Sequence, residues 1–473
     1  MKVAELSNPV KSDWFADQGL RLDASPYVAG SMNTKKLLEQ LPRTEPLASL
    51  TAGYKGGIFS GPMFRRVFLT DPEHSVPFLG TKDMMAADLT GLPRLRKSDA
   101  ESPALSYLQL KPGMTLISRS GFNAGRRAYV RPDMGDCWAS EDIVKVEPDP
   151  EKIKSGYLCA FLLSKFGESL VRGSVYGSAV KHIEPHHIAG LPVPRFSAEI
   201  EGRIHDLIEE CAQLRAQHQA ELVAATKDFF DSVGLSELNE IRWHQGEQDL
   251  GFEVEGIEPT SLRASNYGRR AHDVKELFAG KSHRKLGEIC DSGQLKRGMR
   301  AVRVPTDPGN GVEFLGQRQA FWARPDERWI KYPGDPGIFA QNETIMVTAR
   351  GMISENGLFG KSILVTGSWL KYAYTEDFLR VTSGQGDVSG AYLFAFFRSD
   401  VAFRLMRSML TGTGPQNIHP SLLKEMPIPL APPIDCERIA ATVRHAYQCR
   451  DRADVLEDQA LALLTTAIEE AVG

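Results

Sequence analysis

Apolar residues recur every three or four positions in two long stretches, a spacing typical of α-helices. The first stripe consists of Ile200, Ile204, Leu207, Cys211, Leu214 and His218. The second consists of Ile439, Val443, Ala446, Arg450, Ala453, Ala460, Leu463 and Ala467. Such seams predict two long helices that pair as an antiparallel coiled coil, although each could instead pack on its own globular domain. His218 and Arg450 interrupt the stripes, either as polar residues that set the register or as residues at the edge of the seam.

Shorter apolar and β-branched runs precede each stripe and predict strands. They read MTLISRS and RRAYVRP in the first half of the chain, and TIMVTAR and KSILVTG in the second. The segment SGYLCAFLLSKFGESLVRG has helical spacing and predicts a helix. Each long helix is therefore expected to follow a mixed α/β domain.

The two halves of the chain are related in sequence. Residues 141–215 align with residues 376–450 at a constant offset of 235, with 19 identities over 75 positions. Residues 70–80, TDPEHSVPFLG, match residues 306–316, TDPGNGVEFLG, at seven of eleven positions. The chain is interpreted as two copies of one unit, and related units are expected to pack about a pseudo-twofold axis, as homodimer subunits do.

The predicted fold class is α+β, with two tandem α/β domains that are each followed by a long helix. The first domain is expected over residues 1–196 and its helix over residues 197–233. The second domain and its linker are expected over residues 234–432, and the C-terminal helix over residues 433–473.

Composition indicates a soluble globular protein, since 42% of the 473 residues are hydrophobic and 25% are charged. The net charge of −4 excludes a globally basic chain, so any nucleic-acid binding must come from local basic surfaces. Six cysteines form no CxxC pair, and the sequence has neither the apolar run of a signal peptide nor a stretch long enough to span a membrane. A cytoplasmic location without membrane association is expected.

No motif of a self-contained enzyme is evident. GLFGKS (357–362) has Glu355 where a phosphate-binding loop needs glycine, so a turn before a strand is predicted. His182, His186 and His187 match no metal-ligand spacing, and a polar turn is favoured there. SRSG (118–121) is not the nucleophile elbow of a hydrolase. The chain is predicted to have no catalytic residue, no metal and no cofactor of its own.

Two sets of motifs resemble a known family. Residues 412–433, GTGPQNIHPSLLKEMPIPLAPP, follow YLFAFFRS and precede the second long helix, and residues 177–194 are a weaker version. Residues 113–130 and 343–365 have the form of a Gly-Asp-Ile-Leu strand, a Ser-x-x-Gly turn and a Gly-Lys/Arg strand, with Thr115 and Thr344 in place of the acid. In these features the chain resembles the specificity (S) subunits of type I restriction–modification systems.

The resemblance implies a non-catalytic, sequence-specific DNA-binding subunit that reads a bipartite, asymmetric target, one half per recognition domain, with the helices as a spacer. It implies two methyltransferase subunits and a restriction/translocase subunit as partners. Methylation of adenine N6 and the binding of S-adenosylmethionine would belong to the methyltransferase subunit. The alternatives are a specificity-like subunit of another phage-defence methylation system, an enzyme acting alone on nucleic acid, and a purely structural coiled-coil scaffold.

DNA recognition needs cations for phosphates and planar polar groups for base edges. Candidates lie in the predicted loops of both copies, where each is also compatible with a solvated charged loop. In the first copy they are Lys55, Arg65, Arg66, Lys82, Arg119, Asn123, Arg126, Arg127 and Tyr129. In the second copy they are Lys296, Arg297, Arg300, Gln317, Arg318, Gln319, Arg350, Asn356 and Lys361.

Overall fold

The computed structural model describes residues 10–17, 21, 25–28, 30–177, 180–240, 251, 253, 260–353, 357–384, 386, 388–413 and 415–472. The chain divides into two compact units. Unit 1 lies within Met1–Ala216 and Arg452–Gly473, and unit 2 lies within Gln217–Asp451. Among the described residues, every helix is too short or too polar to cross a lipid bilayer.

Unit 1 is a mixed α/β domain whose last helix continues beyond the unit. Its helices are α1 (Ser12–Asp17), α2 (Ser25–Val28), α3 (Ser31–Glu39), α4 (Lys97–Ala100), α5 (Ser155–Leu163), α6 (Lys165–Ser174), α7 (Pro185–Ile188) and α8 (Ala198–Ser232). Its strands are β1 (Thr44–Pro46), β2 (Ile58–Phe59), β3 (Ser75–Leu79), β4 (Arg94–Arg96), β5 (Thr115–Ser118), β6 (Arg127–Tyr129), β7 (Trp138–Ala139), β8 (Ile143–Val146) and β9 (Pro192–Pro194).

The strands of unit 1 form a four-stranded antiparallel sheet, a three-stranded mixed sheet and a two-stranded ladder. Their orders are β2-β8-β5-β6, β4-β3-β7 and β1-β9, and β3 pairs with β7 in parallel. Every residue of β5 and β8 is buried, including the polar residues Thr115 and Ser118 and the charged Lys145. The buried helix α5 contributes Tyr157, Leu158 and Phe161 to the same core.

Unit 2 contains a second set of elements of the same kinds. Its helices are α9 (Arg269–Ala279), α10 (Leu286–Ile289), α11 (Gly390–Phe397), α12 (Asp400–Ser408), α13 (Pro420–Lys424) and α14 (Pro433–Val472), the last of which continues into unit 1. Its strands are β10 (His283–Lys285), β11 (Gln294–Arg297), β12 (Val312–Leu315), β13 (Trp329–Ile330), β14 (Thr344–Thr348), β15 (Ser362–Val365), β16 (Ala373–Tyr374), β17 (Phe378–Thr382), β18 (Leu410–Thr411), β19 (Asn417–Ile418) and β20 (Pro427–Pro429).

The strand order of unit 2 repeats that of unit 1. The four-stranded sheet has the order β11-β17-β14-β15, the mixed sheet has the order β13-β12-β16, and β10 pairs with β20. In the mixed sheet β12 and β16 are parallel, as β3 and β7 are in unit 1. The repeat seen in the sequence is therefore also a repeat of topology.

A buried tyrosine ties the core helix of each unit to the strand that precedes a long helix. The hydroxyl of Tyr157 donates to the carbonyl oxygen of Pro194, and that of Tyr392 donates to the carbonyl oxygen of Pro429 at 3.1 Å. Tyr157 and Tyr392 are equivalent in the 235-residue repeat, as are Pro194 and Pro429. Both tyrosines are fully buried, so each hydroxyl depends on this one acceptor rather than on water.

Replacing Tyr157 with phenylalanine keeps the ring and removes only this hydrogen bond. Tyr392→Phe also removes the hydrogen bond that the backbone nitrogen of Ala431 donates to the hydroxyl at 3.0 Å. We expect Tyr157→Phe to lower the free energy of unfolding by about 1 kcal/mol, the usual net value of such a bond, and Tyr392→Phe to lower it by more, because two hydrogen bonds are lost. Urea titration followed by circular dichroism measures the change. A phenylalanine variant as stable as the natural chain would show that the hydroxyl does not stabilise the unit.

Ser164 interrupts the helix predicted over SGYLCAFLLSKFGESLVRG. Its backbone is extended, and its Oγ accepts a hydrogen bond from the backbone nitrogen of Gly167 at 3.3 Å, which caps α6. Ser399 caps α12 in the same way, accepting from Ala402 at 3.0 Å. The prediction of one helix is wrong, because the apolar spacing continues across a serine whose hydroxyl favours a new helix start.

Within unit 1, the first part of α8 packs against the last part of α14. Ile204 and Ile208 share a buried cluster with Ala460, Leu464 and Ile468. Arg215 donates to Glu457 at 2.6 Å and to Asp454 at 3.0 Å. The predicted stripe positions Leu463 and Ala467 are only half-buried. After Ala460 the buried residues are spaced by four, so Leu464 and Ile468 are buried instead.

Within unit 2, the last part of α8 packs against the first part of α14. His218 Nδ1 lies 2.8 Å from the carbonyl oxygen of Ala446, and Arg438 Nη2 donates to Asp228 at 2.7 Å. Residue numbers rise along one helix as they fall along the other, so the helices run antiparallel and the predicted pairing is confirmed. His218 and Arg450 are 6% and 5% exposed. His218 lies in the seam through its contact with Ala446, whereas Arg450 donates to the carbonyl oxygen of Thr366 at 3.2 Å and stacks 4.3 Å from the centre of the Trp369 ring, so it packs on the α/β part of unit 2.

Candidate nucleic-acid interface

One arginine of unit 1 is held between a carboxylate and a phenyl ring. Arg66 Nη2 donates to Glu141 Oε1 at 2.6 Å and to Ser140 Oγ at 3.3 Å. Its guanidinium carbon lies 5.4 Å from the centre of the Phe78 ring. The side chain is 35% exposed, and its other N–H groups are available to an external acceptor because a guanidinium has five donors.

Unit 2 contains the same arrangement around Arg303. Its Nη2 donates to Thr375 Oγ1 at 2.9 Å and to the carboxylate of Glu376, and its guanidinium carbon lies 5.1 Å from the centre of the Phe314 ring. The side chain is 34% exposed. Burial raises the pKa of Glu376, but backbone hydrogen bonding and Arg303 outweigh this and leave the pKa below its usual value. Glu376 therefore remains an anion at neutral pH.

We call these two groups the arginine clusters: Arg66, Phe78, Ser140 and Glu141 in unit 1, and Arg303, Phe314, Thr375 and Glu376 in unit 2. The phenylalanines belong to the repeated TDP…FLG motif, and the acids belong to SEDIVKV and TEDFLRV. Arg303 is not among the residues predicted from the sequence. An Arg-Val pair precedes Thr-Asp-Pro in both copies, but a one-residue difference in spacing hides the match.

Three of the predicted residues of unit 2 meet at Asp377. Arg297 Nη2 and Arg350 Nη1 lie 3.1 Å and 3.5 Å from Asp377 Oδ1, and Gln317 Nε2 donates to the Asp377 carbonyl oxygen at 2.8 Å. Arg350 is 50% exposed, and exposed ion pairs contribute at most about 1 kcal/mol. Such a pair orients the cation and still allows it to exchange its partner for a phosphate.

Unit 1 has a different set of side chains at the equivalent aspartate. Asp142 accepts a hydrogen bond from Ser120 Oγ at 2.9 Å, and the predicted Arg119 pairs instead with Glu184 at 2.7 Å. The two units thus share the acidic pair Glu141-Asp142 and Glu376-Asp377 but surround it with different polar groups.

Two predicted residues of β6 are engaged in the interior of unit 1. Arg127 is 9% exposed and lies 3.4 Å from a carboxylate oxygen of Glu168. Tyr129 donates to the carboxylate of Glu209 and lies 2.9 Å from Ser155 Oγ, and burial raises the pKa of its hydroxyl. These contacts anchor β6, so we give both side chains a structural role.

The remaining predicted residues are dispersed. Six of them are exposed: Lys55, Arg65, Lys82, Lys296, Arg300 and Arg318. Asn123, Arg126, Gln319 and Lys361 are half-buried, and Gln319 donates to Asp326 at 3.0 Å. Asn356 lies outside the described residues.

Two regions that were considered for other chemistry have ordinary local roles. Residues 357–360 form a turn before β15, as predicted for GLFGKS. His187 Nδ1 accepts a hydrogen bond from the backbone nitrogen of Glu184 at 3.1 Å, and it caps the short helix α7.

Of the comparisons with known proteins, the comparison with solved structures gives matches. No family model and no curated protein matches the chain. A type I restriction–modification S subunit from M. genitalium is 12% identical with a TM-score of 0.36, over 91% of this chain and 94% of that one. The HsdS subunit from Thermoanaerobacter tengcongensis is 14% identical with a TM-score of 0.27, over 91% and 97%.

A third match comes from a structural study of complex assembly and conformational transition in the type I R-M system. It is 14% identical with a TM-score of 0.28, over 91% of this chain and 98% of the other. The chain is similar to type I restriction–modification specificity subunits.

Like the arginine clusters, a buried cation recurs in the central strand of each unit. Lys145 in β8 is fully buried and donates to the carbonyl oxygen of Ser140 at 2.8 Å, which holds the turn that carries Glu141. Arg380, the equivalent residue of β17, donates to the carbonyl oxygens of Phe339 and Ile338 at 2.6 Å and 3.1 Å. Burial lowers the pKa of Lys145 to about 7, although Glu141 and Asp142 raise it.

This pKa predicts a pH dependence of stability. The folded pKa lies below the unfolded one, so the unfolded state binds more protons between about pH 7 and about pH 10, and stability rises with pH in that window. Replacing Lys145 with methionine removes this contribution. The gain in unfolding free energy from pH 7 to pH 9 should therefore be larger for the natural chain than for Lys145→Met, as measured by urea titration. Equal gains would show that Lys145 has an ordinary pKa.

Proposed function

We propose that this chain is the sequence-specific DNA-binding subunit of a type I restriction–modification complex and that it reads a bipartite, asymmetric target. The observation that carries the proposal is the duplicated arginine cluster within a duplicated strand order. The framework is shared, while the polar groups around Asp142 and Asp377 differ. Two domains that read different half-sites need this combination of a common support and different contacts.

Within this proposal, Arg66 and Arg303 contact base edges. An arginine can donate two parallel hydrogen bonds to O6 and N7 of guanine, the commonest specific contact in the major groove. Glu141 and Glu376 would hold the guanidinium groups in orientation before DNA binds, which reduces the conformational entropy lost on binding. The exposed cations Lys55, Arg65, Lys82, Lys296, Arg300 and Arg318 would contact phosphates, together with Arg350.

The long helices α8 and α14 would act as the spacer between the two recognition domains and as the docking surface for two methyltransferase subunits. A restriction/translocase subunit would join this assembly in the cytoplasm. The chain itself would catalyse no reaction. S-adenosylmethionine, bound by the methyltransferase subunit, would supply the methyl group for adenine N6.

Mapping of methylated adenines across the host genome, with and without the gene for this chain, tests the proposal. We expect one split, asymmetric motif to lose its methylation when the gene is removed. Restoring the gene should restore the same motif. An unchanged methylation pattern, or the loss of a contiguous symmetric motif, would contradict the proposal.

A further inference from the structure

An exposed phenylalanine stands at the tip of the loop between β5 and β6. Gly121, with a φ of 76°, donates from its backbone nitrogen to the carbonyl oxygen of Lys181 at 3.0 Å. The next residue, Phe122, is 87% exposed. Fully burying such a side chain would add about 1.5–3 kcal/mol to the free energy of unfolding, and the exposed Phe122 does not contribute this stabilisation.

The equivalent loop of unit 2 also carries an exposed apolar side chain after an anchored glycine, although the hydrogen bond runs in the opposite direction. Gly351 also has a positive φ, and its carbonyl oxygen accepts a hydrogen bond from Gln416 at 3.1 Å. The next residue, Met352, is 88% exposed. Lys181 and Gln416 are equivalent at the 235-residue offset.

The register of the central strands confirms that these loop positions correspond. Leu116 pairs with Lys145, and Met346 pairs with the equivalent residue Arg380. Phe122 follows Leu116 by six positions, and Met352 follows Met346 by six positions. One exposed apolar side chain needs no explanation. Here, however, two different apolar residues are exposed at equivalent positions of the two loops. Both copies therefore retain an exposed apolar side chain at this position.

An ion-paired arginine precedes each exposed apolar residue in the sequence of its loop. Arg119 precedes Phe122 by three residues and pairs with Glu184. Arg350 precedes Met352 by two residues and pairs with Asp377. An apolar side chain beside a cation matches the chemistry of duplex DNA, in which apolar base faces lie next to anionic phosphates.

We propose that Phe122 and Met352 are wedges that insert between stacked base pairs, one in each half of the DNA target. This inference rests on the proposed function and deepens it. Phenylalanine and methionine are among the side chains that unstack a base step in this way and kink the duplex. The backbone anchors at Gly121 and Gly351 would hold each tip in place while the neighbouring arginine contacts a phosphate.

The test uses the full chain, assembled with its methyltransferase partner, and a duplex that carries the motif found by methylation mapping. 2-Aminopurine placed at successive steps reports unstacking as a rise in fluorescence. We expect a rise at one step in each half-site. Phe122→Ser should abolish one rise, Met352→Ser should abolish the other, and each should weaken binding about tenfold with an unchanged salt slope, because the phosphate contacts remain. Ile434→Ser, which removes a 79% exposed side chain on α14, should change neither signal.

The outcomes separate this inference from the proposed function. If the natural complex binds the motif without a fluorescence rise at any step, the wedge proposal is wrong, and the proposed function is unaffected. If the serine variants bind DNA normally but lose the methyltransferase, these residues contact that partner instead. A complex that does not bind the motif overturns both proposals.

A separate observation within unit 2 concerns three potential metal ligands. Glu221 on α8 and His445 and Cys449 on α14 have ligand atoms that all lie within 4.8 Å of one another. His445 and Cys449 are one helical turn apart, and His445 Nδ1 lies 2.9 Å from both carboxylate oxygens of Glu221. The positions equivalent to His445 and Cys449 in the first copy are Glu210 and Leu214, so this group is not part of the shared framework.

We infer that Glu221, His445 and Cys449 form a binding site for a zinc-like divalent cation that joins α8 to α14. Imidazole, thiolate and carboxylate are the ligands that zinc prefers, and water would complete a tetrahedral site. Binding would release the thiol proton, so affinity should increase with pH. His445 is exposed and gives the ion a path from solvent.

Titration of the chelator-treated full chain with zinc chloride and with cobalt chloride tests this site. We expect one zinc per chain and, with cobalt, a thiolate charge-transfer absorption band. Cys449→Ser should abolish the band and His445→Ala should abolish zinc binding, while Cys436→Ser on the same helix should retain both. Absence of saturable binding, or binding that all three variants retain, would overturn the assignment.

Discussion

Replacing Arg66 and Arg303 together with leucine is expected to weaken binding to the target duplex about 30-fold or more. A bidentate arginine–guanine contact contributes about 1–3 kcal/mol. Losses at separate sites that share no partner add, which gives about 2–6 kcal/mol for the pair. Binding is measured at one fixed salt concentration, because phosphate contacts make the affinity salt-dependent.

Two control variants separate base recognition from charge and from stability. The double variant Arg43→Leu and Arg269→Leu removes one exposed arginine from each unit outside the arginine clusters, and should bind within a few-fold of the natural chain. The double variant Glu141→Gln and Glu376→Gln keeps both arginines and removes their anionic partners, and should cause a smaller loss. Natural affinity in the arginine double variant, or an equal loss in the Arg43 and Arg269 control, would contradict the assigned role.

We expect a longer spacing between the two halves of the target when seven residues are inserted into each long helix. The insertions, which keep the seam spacing, follow Ala216 in α8 and Asp451 in α14. Seven helical residues add about 10 Å, and a base pair spans about 3.4 Å of duplex. A heptad keeps the apolar stripe of each helix facing its partner. The methylated motif should keep its two halves and gain about three base pairs between them, as methylation mapping would reveal.

The matched control inserts the heptad into α8 alone. The two helices would then differ in length, the pairs Arg438–Asp228 and Arg215–Glu457 could not both form, and activity on either spacing should fall. A double insertion that still methylates the original motif, with its original spacing, would show that the helices do not set the distance.

The sequence predicted the long helices well because their apolar stripes extend over many turns and agree between the copies. It failed at Ser164, where one hydroxyl bonded to the Gly167 backbone starts a new helix within a continuous apolar pattern. It also placed the end of the second stripe on Leu463 and Ala467, although Leu464 and Ile468 are the buried residues. A difference of one residue changes the face of a helix, and spacing alone does not determine it.

The candidate site was partly predictable. Chemistry and loop position selected Arg66, Arg297, Gln317 and Arg350, but spacing along the chain does not reveal that the last three meet at Asp377. Arg303 was missed because its match with Arg66 requires a one-residue gap. Glu221 and His445 are 224 residues apart, so only the folded chain brings them into contact.

Selection of bound sequences from a random duplex pool tests the central claim, which is that each unit reads its own half of one target. The natural chain, Arg66→Leu and Arg303→Leu are compared as complexes with the methyltransferase partner. We predict that Arg66→Leu loses base preference in one half-site and Arg303→Leu in the other, with the opposite half unchanged in each case. If both variants lose preference at the same positions, or if neither changes the selected motif, the two units do not read separate halves of the target.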